Sequence, residues 1–139
     1  MHYYLSLGSN IGEREYTIRK AVSLLNERAG IVLRVSSFFY SEPWGFESTN
    51  QFANIALLLQ SDLLPQNLLT TTQAIERELG RTHKTIDRCY HDRTIDIDLL
   101  QCFDDTGQEL HVNTTTLTLQ HPLMNERDFV TQPLQELKD

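Results

Sequence analysis

Cysteine is scarce: the 139 residues hold two, Cys89 and Cys102. Without C-x-x-C spacing they give neither a disulfide framework nor a zinc signature, and both are expected to be reduced, as in a cytosolic protein. Long apolar runs are missing too. No stretch approaches the ~20 residues that cross a bilayer. Met1-His2-Tyr3-Tyr4-Leu5-Ser6-Leu7 lacks the charged and apolar regions of a secretory signal. A cytoplasmic location with no membrane partner is the expectation. Positive charge is in deficit, with 12 Lys and Arg against 19 Asp and Glu and a net charge of −7. That balance argues against a general nucleic-acid binder, which carries a basic footprint. Repeats, low-complexity tracts and linkers are absent as well. One domain over residues 1–139 is expected, long enough to bury a core without disulfides.

What is present alternates between two periods. Tyr3 to Leu7 reads as a first strand, stopped by Gly8-Ser9-Asn10-Ile11-Gly12, a turn ahead of a helix. Ile18, Ala21, Val22, Leu25 and Ala29 follow helical spacing from Glu13, and Gly30 is the stop. Ile31 to Tyr40 reads as a second strand, Ser41 to Asn50 as a loop and Gln51 to Gln60 as a third strand. Pro65 opens a second helix with the stripe Leu68, Thr72, Ile75 and Leu79, ended by Gly80. Arg81 to Asp92 is polar and aperiodic, a long functional loop. Thr94 to Phe103 is a fourth strand, Asp104-Asp105-Thr106-Gly107 a turn into a hairpin partner, and the tail from Asn125 holds a short helix. The order is that of an α+β, ferredoxin-like βαββαβ core with an extra hairpin strand and long active-site loops.

Chemistry concentrates around Arg93-Thr94-Ile95-Asp96-Ile97-Asp98-Leu99-Leu100. Side chains alternate on a strand, so Asp96 and Asp98 share a face with Cα atoms roughly 6.5–7 Å apart, while Ile95, Ile97 and Leu99 turn to the core. Two carboxylates on a rigid strand suit one or two Mg²⁺ ions, which leave coordination sites for phosphate oxygens and water. The same alternation also fits a half-buried strand whose acidic face is simply solvated. Arg81, His83, Lys84, Arg88, His91 and Arg93 lie just upstream and supply cations for phosphate. His121 is either structural or a phosphate ligand or proton donor. Trp44, Phe46, Phe52, Tyr90 and Phe129 offer faces for a flat ring, though each also serves as packing.

These residues fall into a familiar series. Leu7-Gly8-Ser9-Asn10-Ile11-Gly12 resembles the opening motif of the hydroxymethyldihydropterin pyrophosphokinases. So do Ser36-Ser37-Phe38, Glu42-Pro43-Trp44-Gly45, Phe52-Ala53-Asn54, Gln73-x-x-Glu76, Gly80-Arg81 and Arg93-Thr94-Ile95-Asp96-Ile97-Asp98. His121-Pro122, Arg127-Asp128-Phe129-Val130 and Pro133-Leu134 complete it in family order. The resemblance implies transfer of pyrophosphate from ATP to the hydroxymethyl oxygen of 6-hydroxymethyl-7,8-dihydropterin in folate biosynthesis, releasing AMP, with two Mg²⁺ ions on Asp96 and Asp98. By the same carry-over Arg81 and Arg93 are catalytic. Leu69, Gln73, Glu76, Lys84, Leu99, Leu117, Thr118, His121 and Arg127 hold the nucleotide. Ser41, Pro43, Trp44, Phe52, Asn54 and Phe129 hold the pterin. A monomer acting on small molecules is expected.

Departures from the pattern are local. Tyr90-His91-Asp92-Arg93 stands where the family runs Trp-Gly-Pro-Arg, and Phe52 stands where a tyrosine is common. The chain ends soon after Pro133-Leu134, the expectation for a free-standing form. A relative that binds without turnover, or a regulatory module with a solvated acidic strand, is the alternative.

Overall fold

The computed structural model describes residues 1–42, 51–80, 94–122 and 124–138. Among the described residues eleven elements form, in the order β1 (His2–Ser9), α1 (Arg14–Arg28), β2 (Ile31–Val35), β3 (Phe39–Ser41), β4 (Phe52–Gln60), α2 (Pro65–Glu78), β5 (Asp96–Phe103), β6 (Glu109–Leu110), β7 (Val112–Asn113), β8 (Thr118–Leu119) and α3 (Asp128–Lys138). The fold is α+β. Every strand pairing among the described residues is antiparallel. The main sheet runs β2-β4-β1-β5-β6, with β3 also on β4, and β7 and β8 form a separate pair. Among the described residues no helix is long and apolar enough to cross a membrane.

Both helical stripes read from the sequence are buried. α1 turns Ile18, Ala21, Leu24 and Leu25 inward, and α2 turns Leu68, Thr72, Ile75 and also Glu76 inward. They meet Tyr3, Leu5, Leu7, Ile55, Leu57, Leu59, Ile97 and Leu99 of the central strands in one apolar cluster. Removing a buried leucine from such a cluster costs about 2–5 kcal/mol. Gly30 is fixed by backbone crowding, since a Cβ there would stand 2.0 Å from the Gln60 carbonyl oxygen.

Several boundaries differ from the sequence reading, each for a tertiary reason. β1 runs on through Gly8 and Ser9, because Gly8 pairs with Asn54 on one side and Asp96 on the other; pairing overrides turn propensity. The second strand is two, broken at Ser36. There the Ser36 hydroxyl accepts from Ala56 N–H at 2.9 Å, in place of a main-chain acceptor. The fourth strand starts at Asp96 rather than Thr94, α2 ends at Glu78 rather than Leu79, and the tail helix spans 11 residues. The hairpin partner after Gly107 is β6.

The second face of the sheet is divided. α3 covers one part, burying Ala56, Leu100, Met124, Val130, Leu134 and Leu137 together. A register shift between Tyr4 and Leu5 against β5 sets Leu100 beneath α3 while Leu99 and Cys102 stay in the other cluster. Cys102 is free and buried; Cys89 lies outside the described residues.

Candidate active site

Cross-strand register assembles the uncovered part of that face. Gly8 on β1 stands opposite Asn54 on β4 and Asp96 on β5, giving a row Asn54–Gly8–Asp96. The next row toward α3 is Ala56–Ser6–Asp98. Neighbouring strands lie ~4.8 Å apart, so Asn54 and Asp96 are roughly 10 Å apart at Cα, with a glycine between them. Asp96 and Asp98 are each half-buried while Ile95, Ile97 and Leu99 are buried, the alternation expected from the sequence. Among the described residues no group of three or more His, Cys, Asp or Glu side chains could hold a metal. Two carboxylates, with open positions for phosphate and water, remain a donor set suited to Mg²⁺.

At the β4 end of the row, Asn54 is 2% exposed. Its Nδ2 donates to the Phe39 carbonyl at 3.1 Å and to Ser41 Oγ at 2.9 Å. Both amide protons have partners there, and Oδ1 lies on the Gly8 side. Phe52 shares the face, because β4 alternates and Ser41 pairs with Phe52. Ser41, Phe52 and Asn54 are thus brought together. Phe129 and Arg127 come from the start of α3, the guanidinium 5.0 Å from the ring centroid.

At the β5 end, backbone groups on the strand's outer edge are taken by two of the proposed site residues. β6 pairs with β5 at Cys102 and Phe103. Nearer the aspartates, Ile97 N–H donates to Glu76 Oε2 at 2.8 Å, a buried bond, and His121 N–H donates to the Leu100 carbonyl at 2.9 Å. Burial pushes the His121 imidazole below its ordinary value, the Arg127 guanidinium pushes it the same way, and Asp96 opposes both. Arg127 and Asp96 thus both lie near enough to act on His121.

The remaining residues divide. Leu99 and Leu117 are buried in the cluster beneath α1 and α2, and Leu69 packs against it. Gln73 and Thr118 are exposed. Arg81, Lys84, Arg93, Pro43 and Trp44 lie outside the described residues, as does the long loop that carries the first three. Ser6 and Phe39, in the same rows, were not singled out by sequence, and Gly8 was read as part of the opening motif and a turn rather than as a member of this face. An alternation count carried through Gly8 would have placed Ser6 and Gly8 on the aspartate face.

A family model described as 7,8-dihydro-6-hydroxymethylpterin-pyrophosphokinase (HPPK) matches residues 4–139. A 2-amino-4-hydroxy-6-hydroxymethyldihydropteridine pyrophosphokinase of Porphyromonas gingivalis is 48% identical over 139 residues, covering 96% of this chain and 88% of the relative. The protein of that name from Bacillus subtilis is 42% identical, covering 96% and 76%. The one from Aquifex aeolicus is 37% identical, covering 97% and 79%. By the extent of these matches, the chain belongs to the 7,8-dihydro-6-hydroxymethylpterin-pyrophosphokinase family.

Proposed function

We propose that the protein transfers pyrophosphate from ATP to the hydroxymethyl group of 6-hydroxymethyl-7,8-dihydropterin, acting as one cytoplasmic, monomeric pyrophosphokinase domain in folate biosynthesis. The observation that carries the reading is the row Asn54–Gly8–Asp96, an amide and a carboxylate facing one another across a bare glycine. The strand order β2-β4-β1-β5 supports a ferredoxin-like core.

Release of AMP requires attack at the β-phosphorus. The hydroxymethyl oxygen bonds to that phosphorus, the bond to the AMP oxygen breaks, and the hydroxyl proton is lost. Such chemistry needs positioning and charge neutralisation more than covalent help. Asn54 Oδ1 accepts from the amino edge of the pterin, since its Nδ2 is committed to Phe39 and Ser41. Phe52 and Phe129 stack on the ring. Asp96 and Asp98 hold two Mg²⁺, which supply positive charge against the phosphate oxygens when bound. Arg81, Lys84, Arg93, His121 and Arg127 neutralise the triphosphate, with Gln73 and Glu76 on the same nucleotide and phosphate side, and Leu69, Leu99, Leu117 and Thr118 line the adenine and ribose pocket.

The test is incubation with ATP, Mg²⁺ and 6-hydroxymethyl-7,8-dihydropterin, following AMP and the pterin diphosphate. Equal amounts of both products support the reading. Thermal stabilisation by the ligands without AMP contradicts turnover.

A further inference from the structure

Gly8 is the next-to-last residue of the central strand and is paired on both sides, a place where a glycine is a cost. A strand glycine loses more backbone entropy on folding than other residues and packs no side chain. Two reasons can retain one in a strand: an unusual backbone angle, or something that must approach closely. The first does not apply. Positive φ among the described residues belongs to Gly12, Gly80 and Gly107, and Gly8 is paired as ordinary strand on both sides.

Close approach by protein backbone does not apply either. At Gly30 a Cβ would stand 2.0 Å from a carbonyl oxygen, a contact that forbids any side chain. At Gly8 the nearest backbone atom, the Ala53 carbonyl oxygen, would be 3.8 Å away. The tighter contacts are with side chains, Asn54 Oδ1 at 3.0 Å and Phe52 Cδ1 at 3.4 Å. A Cβ would therefore project beside Asn54 and Phe52, in the row that continues to Asp96. Asn54 has little room to yield, being held through Nδ2 by Phe39 and Ser41.

We propose that Gly8 is a specificity-determining residue: its bare Cα is the floor across which the substrate's one-carbon alcohol arm passes from the ring, seated at Asn54 and Phe52, to the carboxylates of Asp96 and Asp98. The inference rests on the pyrophosphokinase reading and adds a size limit to it. The site takes a flat bicyclic ring carrying an unbranched primary-alcohol arm, and rejects added bulk on the arm's carbon.

Gly8→Ala tests this. Steady-state turnover gives KM for 6-hydroxymethyl-7,8-dihydropterin and for ATP. Calorimetry gives the affinity for 7,8-dihydropterin, the same ring without its arm. The pterin alcohol KM is expected to rise by about tenfold or more, the range of overpacking a tight site. The ATP KM should stay at its wild-type value, the armless ring should lose clearly less affinity than the alcohol, and the melting temperature should hold or fall slightly, since the contact with Asn54 Oδ1 must relax. A wild-type KM for the alcohol in Gly8→Ala would overturn the proposal. So would an equal loss for the armless ring, which would make Gly8 a packing residue for Asn54. The wild-type protein gives a second arm that needs no variant to fold. A dihydropterin with a 1-hydroxyethyl arm should be turned over about tenfold less efficiently than the hydroxymethyl parent, and equal efficiency would overturn the inference. Wild-type turnover of the parent alcohol is measured in the same series. Its absence contradicts the functional reading, whereas its presence beside an unaffected Gly8→Ala contradicts this inference alone.

Discussion

Two ends of one sheet face differ by a single two-residue step on each central strand. On β4 the step leads from Ala56 to Asn54 and on β1 from Ser6 to Gly8, while on β5 it leads from Leu100 to Asp98, which stands in the row of Ala56 and Ser6. Each step is only about 6.6 Å of chain. On one side of it the face is apolar and lies under α3; on the other it carries an amide, a glycine and two carboxylates. The register shift at Tyr4 and Leu5 against β5 sets Leu100 under α3, so the difference comes from that shift, from side chains and from where α3 begins. Its apolar stripe starts at Val130 with Phe129 packed beside it, and Arg127, over the Phe129 ring, acts on His121. The same helix thus closes the core and edges the site.

That contrast can be broken at either end. The largest effect is expected at the carboxylates. Asp96→Ala and Asp98→Ala should each cut AMP formation about a hundredfold or more, the scale of losing a group that stabilises developing charge. Both residues are half-buried and outside the apolar clusters, so unfolding curves should barely move. Substantial remaining activity would remove the carboxylates from the chemistry.

Under α3 the signature should invert. Leu134→Ala should cost about 2–5 kcal/mol of stability, read by urea denaturation, while KM for both substrates holds in the folded protein. A shifted pterin KM with unchanged stability would mean that the two ends are not separable.

A smaller and more selective loss is expected at Asn54→Ala. Stranding the ring's amino edge should weaken pterin binding by about 1–3 kcal/mol and leave ATP binding nearly unchanged, as calorimetry with each ligand would read. Equal losses for both would contradict a pterin-specific role.

The smallest effect concerns the tie between α3 and the β2–β3 connection. Glu136 accepts from Ser37 N–H and Ser37 Oγ at 2.6 Å each, and the side-chain bond, then the backbone bond, holds its carboxyl below the ordinary range. A depressed folded-state value contributes stability above the unfolded carboxylate value, and that contribution disappears as pH falls through the folded one. Glu136→Gln should therefore melt slightly below wild type at neutral pH and match it in acid. A difference that grows on acidification would contradict the sign.

Local pattern carried much of this into the sequence. The helix stripes around Ile18 and Leu68 and the alternation around Asp96 follow from period alone, and Ser41, Phe52 and Asn54 were readable through motif resemblance. Tertiary pairing hid the rest. Gly8-Ser9 has turn chemistry, and pairing keeps it extended, Gly8 with both β4 and β5 and Ser9 with β4. Glu76 reaches Ile97 from 21 residues away, and no period encodes a carboxylate that satisfies another element's N–H. The register shift beside Leu5 depends on the partner strand, so the placement of Leu100 beneath α3 was not legible either.

The most direct measurement is a crystal structure with Mg²⁺, a non-hydrolysable ATP analogue and 6-hydroxymethyl-7,8-dihydropterin. The account predicts the amino edge of the ring on Asn54 Oδ1, the alcohol arm above Gly8, and metal density on Asp96 and Asp98. A ring bound elsewhere, or carboxylates without metal beside a bound triphosphate, would contradict it.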